Sequence, residues 1–375
     1  MSTKLVFYAL VVMGTLLATA DGVADDQSNG TITITDLLGR TVSIDLPVER
    51  VVLTFYFEEY VPIEGGVDPF ERIVGWTRDY WEGRRQWTWE TYESAFPEID
   101  DIPDVGYINK GTFNPEKVIS LHPDVVITYP SDFETAKEDV AKLEKAGIPI
   151  VVVDYHSETL EAYNQSTMLL GKILGREEKA QEIMDFYWEQ VEKVTTKLED
   201  LHEPKPTVYV ECGNMGPSEY SNSYGKGNMW GELIEKCRGI NIAEEAVGAG
   251  KNAPISPEYL LKQNPDVIII TGSYWPAVND SMRLGYCAQL NDSRERLEAF
   301  TKRPGWNDLN AVKNGRVYAI DHGLSRSLHS FVALQAMAKC LYPEEFEDLD
   351  PAENYKEFHE KFLPVEYSGL WTITL

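Results

Sequence analysis

Seven short runs along the chain are nearly continuous in apolar, mostly β-branched residues. They are VVLTFYF from 51, ERIVGWT from 71, PDVVIT from 123, IPIVVVDY from 148, TVYVECG from 207, PDVIIIT from 265 and GRVYAID from 315. Runs of this kind, without strict alternation, mark strands buried on both faces of a parallel sheet. Between them the period lengthens to that of a helix. In SDFETAKEDVAKLEKAG the apolar positions are Val140, Leu143 and Ala146, and GNMWGELIEKCRGINIAEEA, SLHSFVALQAMAKCLY and NYKEFHEKF read as helices too. Strand and helix in alternation predict an α/β protein with central parallel sheets. Only TITITDLLGRTVSID near the start alternates residue by residue, with a turn at Leu38-Gly39, and it predicts a β-hairpin.

One helix-then-strand unit occurs twice. PEKVISLHPDVVIT at 115–128 and PEYLLKQNPDVIII at 257–270 share six of fourteen positions, at a constant offset of 142 residues. Asn114 and Ser256 are expected N-caps, because their side-chain oxygens accept orphan backbone N–H groups. Pro115 and Pro257 lose nothing at the first helical position. Glu116 and Glu258 follow in the first turn, where the helix dipole favours an anion by about 0.3–1 kcal/mol. Pro123 and Pro265 stop the helices. Two copies so far apart suggest two similar α/β lobes.

Residues 157–202 break the alternation. Leu160, Tyr163, Leu170, Ile173 and Leu174 keep a helical period up to Gly175, and Ala180, Ile183, Tyr187, Val191, Val194, Leu198 and Leu201 continue it. The second stretch lacks Gly and Pro and would span roughly 37 Å as a helix, so it reads as a stiff connector. The expected division is 31–156 for a first lobe, 157–202 for the connector and 203–375 for a second lobe.

At the amino terminus, Lys4 precedes sixteen uncharged residues and an A-T-A run, which reads as an export signal over 1–24. No Cys follows it to carry a lipid. With 34 basic and 61 acidic residues, the net charge of −27 argues against nucleic acid or an anionic membrane as partner. The four cysteines, Cys212, Cys237, Cys287 and Cys340, form no C-x-x-C. They leave room for one or two disulfides in the second half without fixing a pairing. Sequons at Asn29, Asn164, Asn279 and Asn291 carry little weight.

Several segments, in this order, resemble one family. They are ITDLLGRTVSIDLPVERVV, VGYINKGTFNPEKVISLHPDVVI, LLGKILGREEKAQEI, ISPEYLLKQNPDVIII and WNDLNAVKNGRVY. The set is similar to the extracytoplasmic solute-binding proteins of ABC importers for ferric siderophores, haem and vitamin B12. The resemblance implies two α/β lobes with central parallel sheets, joined by one long helix, with a ligand cleft between them. It implies an exported protein, in the periplasm or on the outer face of the membrane, that delivers a small molecule to a permease and its ATPase. No covalent chemistry or bound cofactor is implied. It also implies that Glu116 and Glu258, one on each lobe, dock with basic residues of the permease. An iron chelate of the siderophore type is the leading cargo, with a corrinoid or a molybdate or tungstate anion as alternatives.

Ligands of open parallel sheets sit beyond the carboxyl ends of the strands. That rule nominates Tyr56, Trp76, Arg78, Tyr129 and Tyr155 in the first half, and Tyr224, Lys226, Trp230, Tyr274, His322 and Arg326 in the second. Arg84 and Arg85 join them from an aromatic segment that reads as a long loop packed by Trp81, Trp87 and Trp89. Aromatic side chains suit a bulky chelate, and arginines offset its negative charge through forked hydrogen bonds. His156 and His322 are candidate metal ligands, but no metal site is assigned. A secreted hydrolase is the reading of another class. It has only the neighbours Asp321 and His322, with no G-x-S-x-G, H-E-x-x-H or phosphate-loop motif.

Overall fold

The computed structural model describes residues 30–375, so the export signal expected at 1–24 lies outside the described residues. Strands β1 (Gly30–Thr35) and β2 (Thr41–Leu46) form the expected antiparallel hairpin, turning through Gly39 at a φ of 73°. Its turn is fastened to the first sheet. Buried Asp36 pairs with Arg40 at 2.7 Å, and the Leu37 amide donates to the Val152 carbonyl.

The first sheet holds β3 (Val51–Leu53), β4 (Ile73–Trp76), β5 (Val125–Thr128) and β6 (Ile150–Val152), parallel throughout, in the order β4-β3-β5-β6. Next along the chain come β7 (Thr207–Cys212), β8 (Asn222–Tyr224), β9 (Ile240–Asn241), β10 (Asn252–Pro254), β11 (Val267–Gly272), β12 (Val317–Asp321) and β13 (Thr372–Thr374). The second sheet runs β13-β12-β11-β7-β9, with only β13 antiparallel, while β8 and β10 pair apart from it. A further short strand, β13, thus follows GRVYAID and closes that edge of the sheet.

Counted within each sheet, the two orders agree: second, first, third, fourth. The repeated unit supplies the third strand of each, β5 and β11, with the helices Pro115–Ser120 and Pro257–Gln263 before them. The caps form as expected, since the Lys117 amide donates to Asn114 Oδ1 at 2.9 Å and the Tyr259 amide to Ser256 Oγ at 3.2 Å. Every residue of β5 and β11 is buried. At about 1.5–3 kcal/mol for a fully buried aliphatic side chain, these central strands are strong local sources of stability.

The connecting segment is two helices, Leu160–Leu174 and Glu177–Glu199. Gly175, at a φ of 66°, ends the first, and the helices touch where a Cβ on Gly171 would lie 2.5 Å from Ala180 Cβ. The second helix has 23 residues and buries Ile183, Tyr187, Val191, Val194 and Leu198 on one face. Arg176 before it bonds to buried Glu64 of the first lobe at 3.2 Å. Further along, Gln335 of the second lobe donates to the Gln190 carbonyl at 2.9 Å. Fixed to both lobes, the helix is a strut.

The aromatic segment is not a loop. It forms the helices Asp79–Arg84 and Gln86–Ala95, with Trp81 and Trp89 buried against Phe57 and Trp76. The acidic and aromatic residues hid its period. The four cysteines are free thiols, three of them buried, so no disulfide forms.

Candidate functional site

Between the lobes lies a cleft of about 320 Å³. It sits where the strand-order rule places it, beyond the ends of β3, β6, β7, β11 and β12. From the first lobe, Phe55 follows β3 and Tyr155 and His156 follow β6, while the helices after β3 and β4 bring Glu58, Glu59, Tyr80, Trp81, Arg84 and Arg85. From the second lobe come Cys212, Asn214, Asn222, Tyr224, Asn252, Ser273, Trp275 and the loop 322–327 after β12.

Of the nominated residues, Arg84, Arg85, Tyr155, Tyr224, His322 and Arg326 reach the cleft. The others do not line it. Tyr56 and Tyr129 form a buried layer under Phe55 and His156, with Tyr129 and His156 ring centres 4.9 Å apart. Trp76 packs into the first core against Phe57, Phe70 and Trp89. Arg78 is held by Asp100 at 3.1 Å and lies over the Trp89 ring. Lys226 faces solvent and pairs with Glu235 at 2.9 Å. Trp230 is wholly buried in the second core. Tyr274 stacks on Trp87 of the other lobe, with centroids 4.5 Å apart and planes 7° apart, so it bridges the lobes. Among the residues that do not line the cleft, Trp76 ends β4, Tyr56 and Tyr129 sit at the N-caps of the helices that follow β3 and β5, and Trp230 lies within a helix, so nearness to a strand end does not by itself fix which way a side chain faces. Glu58 and Glu59 were missed because a sequence gives no sign that they turn inward.

Three arginines stand around the cleft. Arg85 Nη2 donates to Glu58 Oε1 at 3.1 Å. Its guanidinium crosses to the other lobe and lies on Gly323, where an added Cβ would fall 1.5 Å from Nη1. Only glycine allows that approach. Arg326 binds Glu158 Oε1 through Nε at 2.6 Å, and among the described residues neither Nη group has a partner. Among the described residues Arg84 makes no hydrogen bond or ion pair, and it is exposed at the rim. Such a cation is available to a ligand without breaking anything first.

The acids and imidazoles are tuned against charge. Burial, with the like charge of Glu58 beside it, pushes the Glu59 carboxyl from 4.5 up to about 8. Burial raises Glu58 as well, against the pull of Arg85. His156 is driven down to about 3 by burial and by Arg326, and His322 to about 3 by burial, Arg85 and Arg326. At neutral pH both imidazoles are uncharged and able to donate or accept. The His322 Nδ1 lies 2.9 Å from Thr271 Oγ1. Asp321 instead accepts from the Gly323 amide at 2.9 Å, so the two chain neighbours are not a catalytic pair. Among the described residues no three His, Cys, Asp or Glu side chains converge as a metal cage.

Glu116 and Glu258 are both exposed. A helix that leads into a parallel strand runs against it, so its N-terminus lies at the carboxyl edge of the sheet. Both glutamates therefore lie on the cleft side of the molecule, one per lobe. Among the described residues Glu116 has one distant ion pair, with Lys142 at 3.9 Å.

A family model described as periplasmic binding protein matches residues 75–323. The crystal structure of a TroA-like periplasmic binding protein FepB from Veillonella parvula is 41% identical, with a TM-score of 0.87 over 92% of this chain and 99% of that one. An uncharacterized ABC transporter substrate-binding lipoprotein, YvrC of Bacillus subtilis, is 23% identical over 92% of this chain and 98% of its own. The molybdate-binding protein MolA of Haemophilus influenzae is 22% identical over 89% and 91%. Among the described residues no helix is long and apolar enough to cross a membrane.

Proposed function

The chain belongs to the periplasmic binding protein family and is the substrate-binding component of an ABC transporter, and we propose that its cargo is an anionic metal chelate of the ferric-siderophore type. The observation that carries this reading is the pairing of cations with aromatic faces in one cleft. Arg84 and the Nη groups of Arg326 present unspent donors, while Phe55, Tyr80, Trp81 and Trp275 give a broad apolar wall. Forked guanidinium donors suit carboxylate or hydroxamate oxygens, and the rings suit the organic shell of a chelate. Glu59, largely protonated at neutral pH, adds little opposing charge.

An oxyanion is the second reading. The name of the Haemophilus relative favours it, as do the same arginines. It leaves the aromatic wall without a role, so it ranks second. In this proposal Glu116 and Glu258 dock the loaded protein on its permease, on the outer side of the cytoplasmic membrane. The strut of 23 residues limits lobe movement, so release is driven by the permease parting the lobes. The family binds solutes rather than transforming them, and no catalytic residue is assigned.

The test is thermal unfolding of the protein with ferric hydroxamates, ferric catecholates, haem, cobalamin, molybdate and tungstate. A ligand at a hundred times its Kd stabilises the fold by about 2.7 kcal/mol. The expected result is a shift with a ferric chelate that Arg84→Ala or Arg326→Ala weakens at least tenfold. A shift with molybdate alone would favour the second reading. Chelate affinity that ignores both substitutions would overturn the first.

A further inference from the structure

Behind the cleft is a second pocket of about 150 Å³, partly open to solvent and bounded by the strut, the helix Leu160–Leu174 and the helices Met229–Lys236 and Ser330–Leu341. Its walls are apolar: Leu160, Tyr163, Val191, Leu233 and Leu334. The polar side chains around it are already engaged. Tyr187 and Ser330 hydroxyls share a bond of 2.8 Å, Ser325 Oγ donates to the His322 carbonyl at 3.1 Å, and Thr195 Oγ1 donates to the Val191 carbonyl at 3.3 Å. Glu158 is taken by Arg326 at 2.6 Å, and Lys236 Nζ donates to the Glu158 carbonyl at 2.6 Å. Water entering such a space finds few partners, and it needs two to four. A partly open apolar pocket of this size gains by exchanging its poorly bonded water for a benzene-sized apolar group. The cavity also abuts the cleft, because Ser325 lines both and the Glu158–Arg326 pair separates them.

We propose that this cavity is a second binding site, and that it takes a small apolar group about the size of a hexyl chain or a benzene ring. Two sources can supply that chemistry: an apolar arm carried by the cargo and passing Ser325, or a separate small molecule. The site stands on its own lining and does not depend on which cargo fills the cleft.

Both sources are tested with Leu233→Trp, which fills the cavity from one wall, and Val191→Phe, which fills it from the strut. In the first arm, hexanol or benzene is added to the whole protein and its unfolding midpoint is followed. In the second, Kd is measured for a ferric hydroxamate with and without a hexanoyl arm. A midpoint rise that both variants abolish assigns the site to a free molecule. A gain of at least tenfold for the acylated chelate, abolished by both variants while the parent chelate binds as before, assigns it to an arm of the cargo. The parent chelate also controls for folding of the variants. If neither probe gives a response that the variants remove, the proposal is overturned. If no chelate binds at all, the cargo reading fails alone, because the hexanol and benzene arm still reads the cavity.

Discussion

The two lobes share one plan and use it differently. Each sheet runs second, first, third, fourth, and each third strand comes from the repeated unit. In the first lobe the strand ends are plugged by rings: Tyr56 and Tyr129 lie buried under Phe55 and His156. In the second lobe the corresponding ends offer polar groups, among them Asn214, Ser273 and His322. The difference teaches that topology fixes where a cleft opens, whereas the two or three residues past each strand decide what it recognises. The arginines come from both sides, and Arg85 crosses the gap to rest on Gly323.

The largest effect should come from the feature the lobes have in common. Reversing both charges, Glu116→Arg with Glu258→Arg, is expected to abolish transport while leaving cargo Kd unchanged. Uptake and binding are measured separately, and uptake that survives sinks the docking role. Either single reversal should be intermediate if the lobes are equivalent at the membrane.

Next is a feature of one lobe only. In the second lobe Glu211 and Arg303 form a buried forked pair at 2.6 and 2.9 Å, and Arg303 also holds the carbonyls of Gly216, Pro217 and Glu219. Those carbonyls belong to the loop that carries Asn214 and Asn222 to the cleft. Arg303→Met strands a buried carboxylate and should cost about 3–5 kcal/mol in urea unfolding. A loss below 1 kcal/mol would show that the carboxylate protonates or hydrates easily.

Acid and base should act on opposite groups. The fold prefers Glu59 protonated, so between 4.5 and about 8 the native state holds a proton that the unfolded chain has released. Stability falls as pH rises through that window. His322 and His329 behave inversely, being held down to about 3, chiefly by burial. Their contribution is present above pH 6.5 and is lost as pH falls from there toward 3. Unfolding midpoints across pH should carry both contributions, opposed between 4.5 and 6.5, and Glu59→Gln should remove only the falling slope that runs up to about 8. If Glu59→Gln leaves that slope unchanged, the burial argument for Glu59 fails.

The smallest effect tests equivalence directly. Asn114→Ala and Ser256→Ala each remove one helix cap and should each cost about 1 kcal/mol. Unequal losses in chemical denaturation would show that the repeated helices, alike in sequence, are not alike in their dependence on the cap.

Much of this was legible before any coordinates. The apolar runs located seven strands of the two main sheets, and the repeat located the third strand of each. The hairpin and the break at Gly175 also stood where the pattern put them. The helices at 79–95 were missed, because in DYWEGRRQWTWETYESA the rings and charges fall on every face. Six of thirteen nominated ligand residues line the cleft. Tyr56, at a helix N-cap with a φ of 60°, and Trp76, at the end of β4, turn into the core according to backbone dihedrals that the sequence does not print.

By itself the sequence determined the α/β class, the two lobes, the strut and the capped helices that lift Glu116 and Glu258. These depend on local propensity and on periodicity, and both are carried by neighbours along the chain. Only the tertiary structure decided that Arg85 meets Gly323, that Trp87 stacks on Tyr274 and that Glu59 keeps its proton. The first two depend on residues more than a hundred positions away, and the third on burial between the lobes, with Glu58 beside it. Local pattern holds no record of them.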